Sequence, residues 1–416
     1  MTHPRGAGLR RTCPGRARSC LLTLVLLLTF LALPAQGHDP SAWGGLFRSR
    51  DYGATWMSAN RGTFLSGAIA LAISPIDPDH LLLGTESGLM RSRNGGRDWT
   101  VEAPTVVLGS VFAVAFDADG QRALVATGLG VFRSEAENSW RETPTPRGVS
   151  PARAIIRGRE AGRAYLAGWT GLYRSDDWGT SWSDATAGLP QEPPTALVVT
   201  QDGPETLYTV VQGRIWMSVD GAHNWSRRGL DLPSVSIDAL TADWRHPSRL
   251  WAAGGNGLFR SNDSGANWQR IGQAFPEPDT IVNGIAASDE AIVAATSRGI
   301  YRSVNGGENW TLISDIVPSH LGAGPLLRDP SDPASLYAGF ALIPYRELWQ
   351  RTADRKEGSV RVGGGSLIGG GVFLLLVTFA AVTALRWLGR YYRPAGRSDP
   401  TMRTAEAHRF EKEIRP

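Results

Sequence analysis

The sequence predicts an all-β fold, a seven-bladed β-propeller of four-stranded blades, followed by one C-terminal transmembrane helix. Three observations carry this. A pattern of the form Ser-x-Asp/Asn-x-Gly-x-x-Trp recurs, its last residue falling at Trp56, Trp99, Trp140, Trp182, Trp225, Trp268 and Trp310, at intervals of 43, 41, 42, 43, 43 and 42 residues. A period of about 40–45 residues suits one four-stranded blade. Short apolar runs separated by turn residues fill each period, with no amphipathic helix between them. Finally, residues 367–385 carry no charge over 19 positions, long enough to span a bilayer as a helix.

Taken in order, the chain opens with Arg5, Arg10, Arg11, Arg16 and Arg18, an apolar run at 21–33, and Pro34-Ala35-Gln36-Gly37. This is the layout of a secretory signal peptide, 1–37, cleaved after Gly37 or after Ala35. Both cysteines, Cys13 and Cys20, lie in this leader, and Cys20 precedes the apolar run, against a lipoprotein anchor. The body therefore has no disulfide and no thiolate metal site. The propeller is expected over 41–352. A typical unit has an apolar strand at 69–73, a turn at Pro75, Asp77 and Pro78, strands at 81–85 and 88–92, and a fourth beginning at Trp99. The body opens mid-unit, with 45–49 and the first motif, and closes with only the first two strands of a unit, around 325–327 and 336–339. The N-terminal hairpin is thus expected to complete the C-terminal sheet and close the ring, which removes exposed sheet edges. The run 347–351 reads as one strand too many, and leaves six or eight blades open beside seven. A linker is expected at 353–366, the span at 367–385 and a basic tail at 386–416. Arg386, Arg390 and Arg393 follow the span at once, placing the tail in the cytoplasm and the propeller outside, a single-pass type I protein.

The motif has a local chemistry. The Asx side chain (Asp51, Asn94, Asp177, Asp220, Asp263, Asn305) can accept backbone N–H groups just ahead. The Gly can take a positive φ where the chain reverses, and the Trp adds a large apolar face to the core. Ser218–Trp225 has Ala222 where Gly is usual, and Ser134–Trp140 is one residue short and has lost the pattern between its ends. These acids read as turn formers rather than as metal ligands or catalysts. The pattern resembles the Asp-box (BNR) repeat of sialidase-like propellers. The resemblance covers about three quarters of the chain and extends to photosystem II stability/assembly factors and the sortilin-type ectodomain. The assembly-factor group implies a chaperone-like binding role. Sortilin-type proteins continue into a Cys-rich module, which this chain lacks. Sialidases imply an Arg triad, a Tyr–Glu nucleophile pair and an Arg-Ile-Pro motif. No Arg-Ile-Pro occurs, and Glu is scarce around the nine Tyr.

Charge narrows the partners. Of 43 bases and 39 acids, five bases precede residue 38, and eight bases and four acids follow residue 385, leaving 30 against 35 in the body. A net-acidic body argues against nucleic acid. The histidines of the body are scattered, so no metal and no cofactor is expected. Arg precedes the motif Ser in six units, at Arg48, Arg91, Arg133, Arg174, Arg260 and Arg302, and is read as satisfying groups of a neighbouring blade. If the motif turns lie on one face, the connections between second and third strands lie on the other, where propellers commonly bind partners. That face would carry Glu86, Trp169, Gln212, Asn256 and Arg298, with Trp169 the leading contact for a protein or a glycan. The favoured function is a membrane-anchored, non-catalytic binding or assembly scaffold outside the cytoplasm. The alternative is a surface glycoside hydrolase, sialidase-like or glucanase-like, for which no facing pair of carboxylates can be identified.

Overall fold

The computed structural model describes residues 44–357 apart from 61, 62, 64, 66, 201 and 202. The leader, the uncharged run 367–385 and the basic tail lie outside the described residues. Among the described residues no helix is long and apolar enough to cross a membrane.

Seven antiparallel sheets of four strands are arranged around a central channel. Six are built from consecutive chain, at 70–102, 111–142, 154–184, 196–228, 237–271 and 282–313 (blades I to VI). Blade VII is composite. Its strands Ala323–Arg328 and Leu336–Phe340 are completed by Gly45–Ser49 and Met57–Ser58 from the N-terminal side. Gly45–Ser49 pairs along its whole length with Leu336–Phe340, Phe47 facing Ala338. The innermost strands are Ala70–Ile73, Val111–Phe116, Ala154–Arg157, Ala196–Val199, Ile237–Ala242, Val282–Ala287 and Ala323–Arg328. Sheets covered on both faces explain apolar runs such as Leu81–Gly84 and Ala123–Thr127, buried at every residue.

Each intact motif closes its turn with the same bonds. The Ser hydroxyl accepts the N–H four residues on, at 2.7–2.9 Å in six turns. The Asx oxygen accepts the N–H four residues beyond itself, at 2.8–3.0 Å. These bonds hold the carboxyls of Asp220 and Asp263 down at about 2, chiefly through Asn224 and Asn267. The chain turns through two successive left-handed residues, such as Tyr52–Gly53 and Trp178–Gly179, where the motif led us to expect one. At Gly53 a Cβ would also meet Val293 Cγ2 at 2.6 Å. The motif Trp residues lie at the seams between blades. Trp99 and Trp225 donate to the carbonyls of Ala59 and Ala185 one blade back.

Three of the six motif arginines, Arg133, Arg174 and Arg302, bond the next blade, whereas Arg91 pairs with Glu102 of its own blade. Arg174 donates to the Gly221 carbonyl at 2.8 Å and Arg302 to that of Tyr52 at 2.9 Å. Where the motif has degenerated, blade I supplies the repair. Glu102 accepts the Trp140 indole N–H at 2.7 Å and the Asn138 N–H at 2.8 Å, while Arg91 grips it with two bonds of 2.8 Å. His80 sits behind this pair against the Arg91 guanidinium and the Phe116 ring. Burial, then the charges of Arg93 and Arg91, push His80 down to about 4. The unfolded chain takes up that proton near 6.5 whereas the folded one does not. Stability is therefore expected to fall as pH drops from about 6.5 to 4, by about 3 kcal/mol. Urea unfolding across this range, compared with His80→Gln, which should flatten the dependence, checks it.

One sequence expectation is overturned. Residues 347–351 are not a strand but part of a helix, α1 (Tyr345–Glu357), which also runs into the stretch expected as linker. The physical reason is spacing. Tyr345, Trp349 and Ala353 recur at four residues and share one face. Pro344 at the start gives its carbonyl to the Leu348 N–H at 3.0 Å, and Glu347 lies in the first turn. The place beside Leu336–Phe340 is already taken by Gly45–Ser49, and with seven sheets the blade number is seven.

Candidate functional site: the mouth of the channel

The second-to-third strand connections lie together on the face that carries α1. Trp169 stacks on Trp349 with ring centroids 5.0 Å apart, and Thr352 lies against Gly128. These connections are tight turns such as Thr85–Gly88 and Thr296–Gly299, in which the Thr N–H or hydroxyl binds the Gly carbonyl at 2.9 Å. Glu86, Trp169, Gln212, Asn256 and Arg298 all occupy such connections, between the second and third strands of blades I, III, IV, V and VI.

Beneath and beside α1 the channel mouth holds a cavity of about 550 Å³. Its floor is the innermost strands. Four of these strands carry a bulge at the mouth end, where the ladder register shifts across Phe112, Asp238, Asn283 and Gly324-Pro325. An extra residue in a strand re-aims its side chain, and all of these line the cavity, with Ile69, Ile155, Ser297 and Thr195. A groove of about 410 Å³ continues along the other side of α1, lined by Trp169, Gln212, Glu192, Thr195, Trp349 and Gln350. Arg153 lines both.

Two charges at the mouth are poorly solvated. The Arg153 guanidinium lies 3.9 Å from the centroid of the Trp349 ring and makes no ion pair among the described residues. Burial lowers its pKa, and the like charge of Arg346 adds to this. Asp238 is raised by burial and partly restored by Arg346, 3.4 Å away and half exposed. The other carboxylate lining the cavity, Glu347, is bonded to Arg351, and Glu192 and Asp354 line the adjoining groove. Among the described residues no group of His, Cys, Asp and Glu could hold a metal ion.

The structure brings Trp169 and Gln212 into the groove. Arg298 is exposed beside Ser297 at the rim of the cavity. Asn256 folds onto the connection from blade V to blade VI, its amide donating to the Phe275 carbonyl at 3.2 Å. Glu86 is half-buried near Gly67 and Ala341, and burial raises its pKa. Sequence reasoning missed Arg153, Asp238 and Asn283. The available signal was a charged or amide residue in or next to an innermost strand otherwise made of Ala, Val and Ile. It also missed that Glu205 bonds the Tyr165 hydroxyl at 2.6 Å. That pair is no nucleophile. Tyr165 is fully buried at a blade seam, and burial and Glu205 raise its pKa rather than lower it.

No protein-family model matches the chain, and no curated protein matches it. Solved structures do. YCF48 bound to D1 peptide is similar at 18% identity and TM-score 0.50, over 68% of this chain and 96% of that one. The GH74 xyloglucanase from Xanthomonas campestris is similar at 18% identity and TM-score 0.52, over 64% of this chain and 50% of the enzyme. The extracellular domain of the hybrid two component system BT4673 from B. thetaiotaomicron gives 14% identity and TM-score 0.54, over 68% and 38%. This chain therefore spans about half or less of the length of the last two. At such identities the likeness is one of fold: the chain is a seven-bladed β-propeller.

Proposed function

We propose that this chain is a membrane-anchored, extracytoplasmic scaffold of the Asp-box kind, which binds a segment of a partner protein at the channel mouth. The observation that carries this is the mouth itself. Bulged residues from four blades converge on a cavity with an apolar floor and a few polar groups at its rim, the composition expected of a binding site. That a propeller of this fold, YCF48, has been solved with a bound peptide supports a protein ligand. A glycoside hydrolase of the common kind needs two carboxylates facing across the sugar. Asp238 and Glu347, the carboxylates lining this cavity, are each tied to an arginine of α1. The anchor is the uncharged run 367–385 and the outside location follows from the leader and the arginines after that run.

The test is co-purification of the full chain from its native membrane, with and without Ser297→Trp, which places a bulky side chain at the exposed rim and gives up the Ile281 N–H bond. A stoichiometric protein recovered with the native chain and reduced at least about tenfold with the variant, at unchanged thermal stability, is the expected result. Equal recovery with both would refute the mouth as the binding surface.

A further inference from the structure

We infer that α1 is a lid over the channel mouth, seated at rest and able to lift without unfolding the propeller. The ring does not need it. The strand that precedes it, Leu336–Phe340, is already paired on both sides. The lid is joined to that strand by a short connection in which Leu342 is exposed and Pro344 starts the helix. Its hold is one narrow seam and a peripheral ion pair, Arg346 to Asp238 at 3.4 Å. Tyr345, Leu348 and Trp349 pack on Ile69, Phe112 and Trp169. The Tyr345 hydroxyl meets the carbonyls of Phe112 and Arg153, and the Trp349 indole donates to Pro151. Away from this seam Arg346, Glu347, Gln350, Arg351 and Asp354 are exposed. Thirteen residues are too few to be a stable helix alone, so α1 is helical because it is seated.

The seat opposes itself. Trp349, only 2% exposed, covers the guanidinium of Arg153, a cation with no ion pair among the described residues and Arg346 as a neighbour. Stacking on the indole returns about 2 kcal/mol at best. Arg153 is itself only partly buried, so its desolvation under Trp349 is partial, but its Nε is left without a hydrogen-bond partner among the described residues. Lifting α1 widens access to the cavity that Arg153 and Asp238 line. A lid held by one apolar seam, a few hydrogen bonds and one peripheral ion pair, over a partly buried unpaired charge, can open locally. Its use as a gate rests on the mouth being the binding surface, but its motion does not, and is measured without any ligand.

Amide exchange of the full chain decides it. Amides of 345–354 are expected to exchange at least about tenfold faster than those of Leu336–Phe340, through local opening. Trp349→Ala should abolish protection in α1 and leave the strand protected. Arg153→Met, which keeps the apolar stem and removes the charge, should slow exchange in α1, since a partly desolvated, unpaired cation under Trp349 opposes seating. Coincident exchange of α1 and the strand would overturn the lid, because α1 would then open only with the whole propeller. Unchanged or faster exchange of α1 in Arg153→Met would overturn the loading of the seat. Neither result bears on Ser297→Trp, so failure of the lid and failure of the binding surface remain separable.

Discussion

Glu102→Ala is expected to lower the free energy of unfolding by about 3–5 kcal/mol, the range found when one partner of a buried ion pair is removed. Arg91 and Glu102 are 4% and 1% exposed, so the guanidinium left behind has no access to water. The loss is compounded at the seam with blade II. The Trp140 indole and the Asn138 N–H both depend on the same carboxylate oxygen. Glu102 therefore performs across a blade boundary what an Asx residue performs within the intact turns. Glu102→Gln keeps the shape and one acceptor, and is expected to cost less than the alanine. The control is Glu135→Ala. That carboxylate also sits between two arginines, Arg133 and Arg141, but it and Arg141 are exposed, and the cost should stay within about 1 kcal/mol. Urea unfolding of the three variants checks the ranking, and equal costs at positions 102 and 135 would refute the role assigned to burial.

Phe47→Ala is expected to cost about 3–5 kcal/mol, the usual range for truncating a buried phenylalanine. Phe47 is 2% exposed and meets Phe340 edge-on with centroids 5.3 Å apart. Those two rings belong to strands nearly three hundred positions apart in sequence, and they sit where the ring closes. The truncation also weakens the contact of blade VII with blade VI, since Phe47 and Trp56 share a cluster with Val293 and Ile300. Phe340→Ala should be non-additive with it by about 0.5–1.5 kcal/mol, because the second truncation finds the aromatic pair already lost. Strict additivity in denaturant unfolding would show that the two rings do not hold the closure together.

The sequence made some layers of this molecule readable and hid others. The motif turns were legible because their chemistry is local: Ser49, Asp51 and Gly53 meet within one turn, so spacing alone specifies the bonds. Ring closure was legible because the first and last units are each half a blade. The mouth was not. The bulges that aim Phe112, Asp238 and Asn283 inward are differences of one residue between paired strands, and no single strand reveals its register. Helix α1 was misread because five residues, Glu347 to Arg351, fit a strand as well as a helix. Its period emerges only when Tyr345 and Ala353 are counted with Trp349, and its seat depends on Phe112 and Trp169 from two other blades. Trp169 drew attention as an aromatic at a turn. Its role as a support for Trp349 could not be inferred without the fold.

The most direct measurement places a photo-crosslinking residue at either end of one strand in the full chain in its native membrane. Gln212 lies just before the strand Arg214–Ser218, at the mouth, and Val219 lies just after it, on the turn face, 62% exposed. The account predicts that a crosslinker at Gln212 captures a discrete protein partner and that one at Val219 captures none. Capture of the same partner from Val219 alone, or from both positions alike, would contradict the channel mouth as the binding surface.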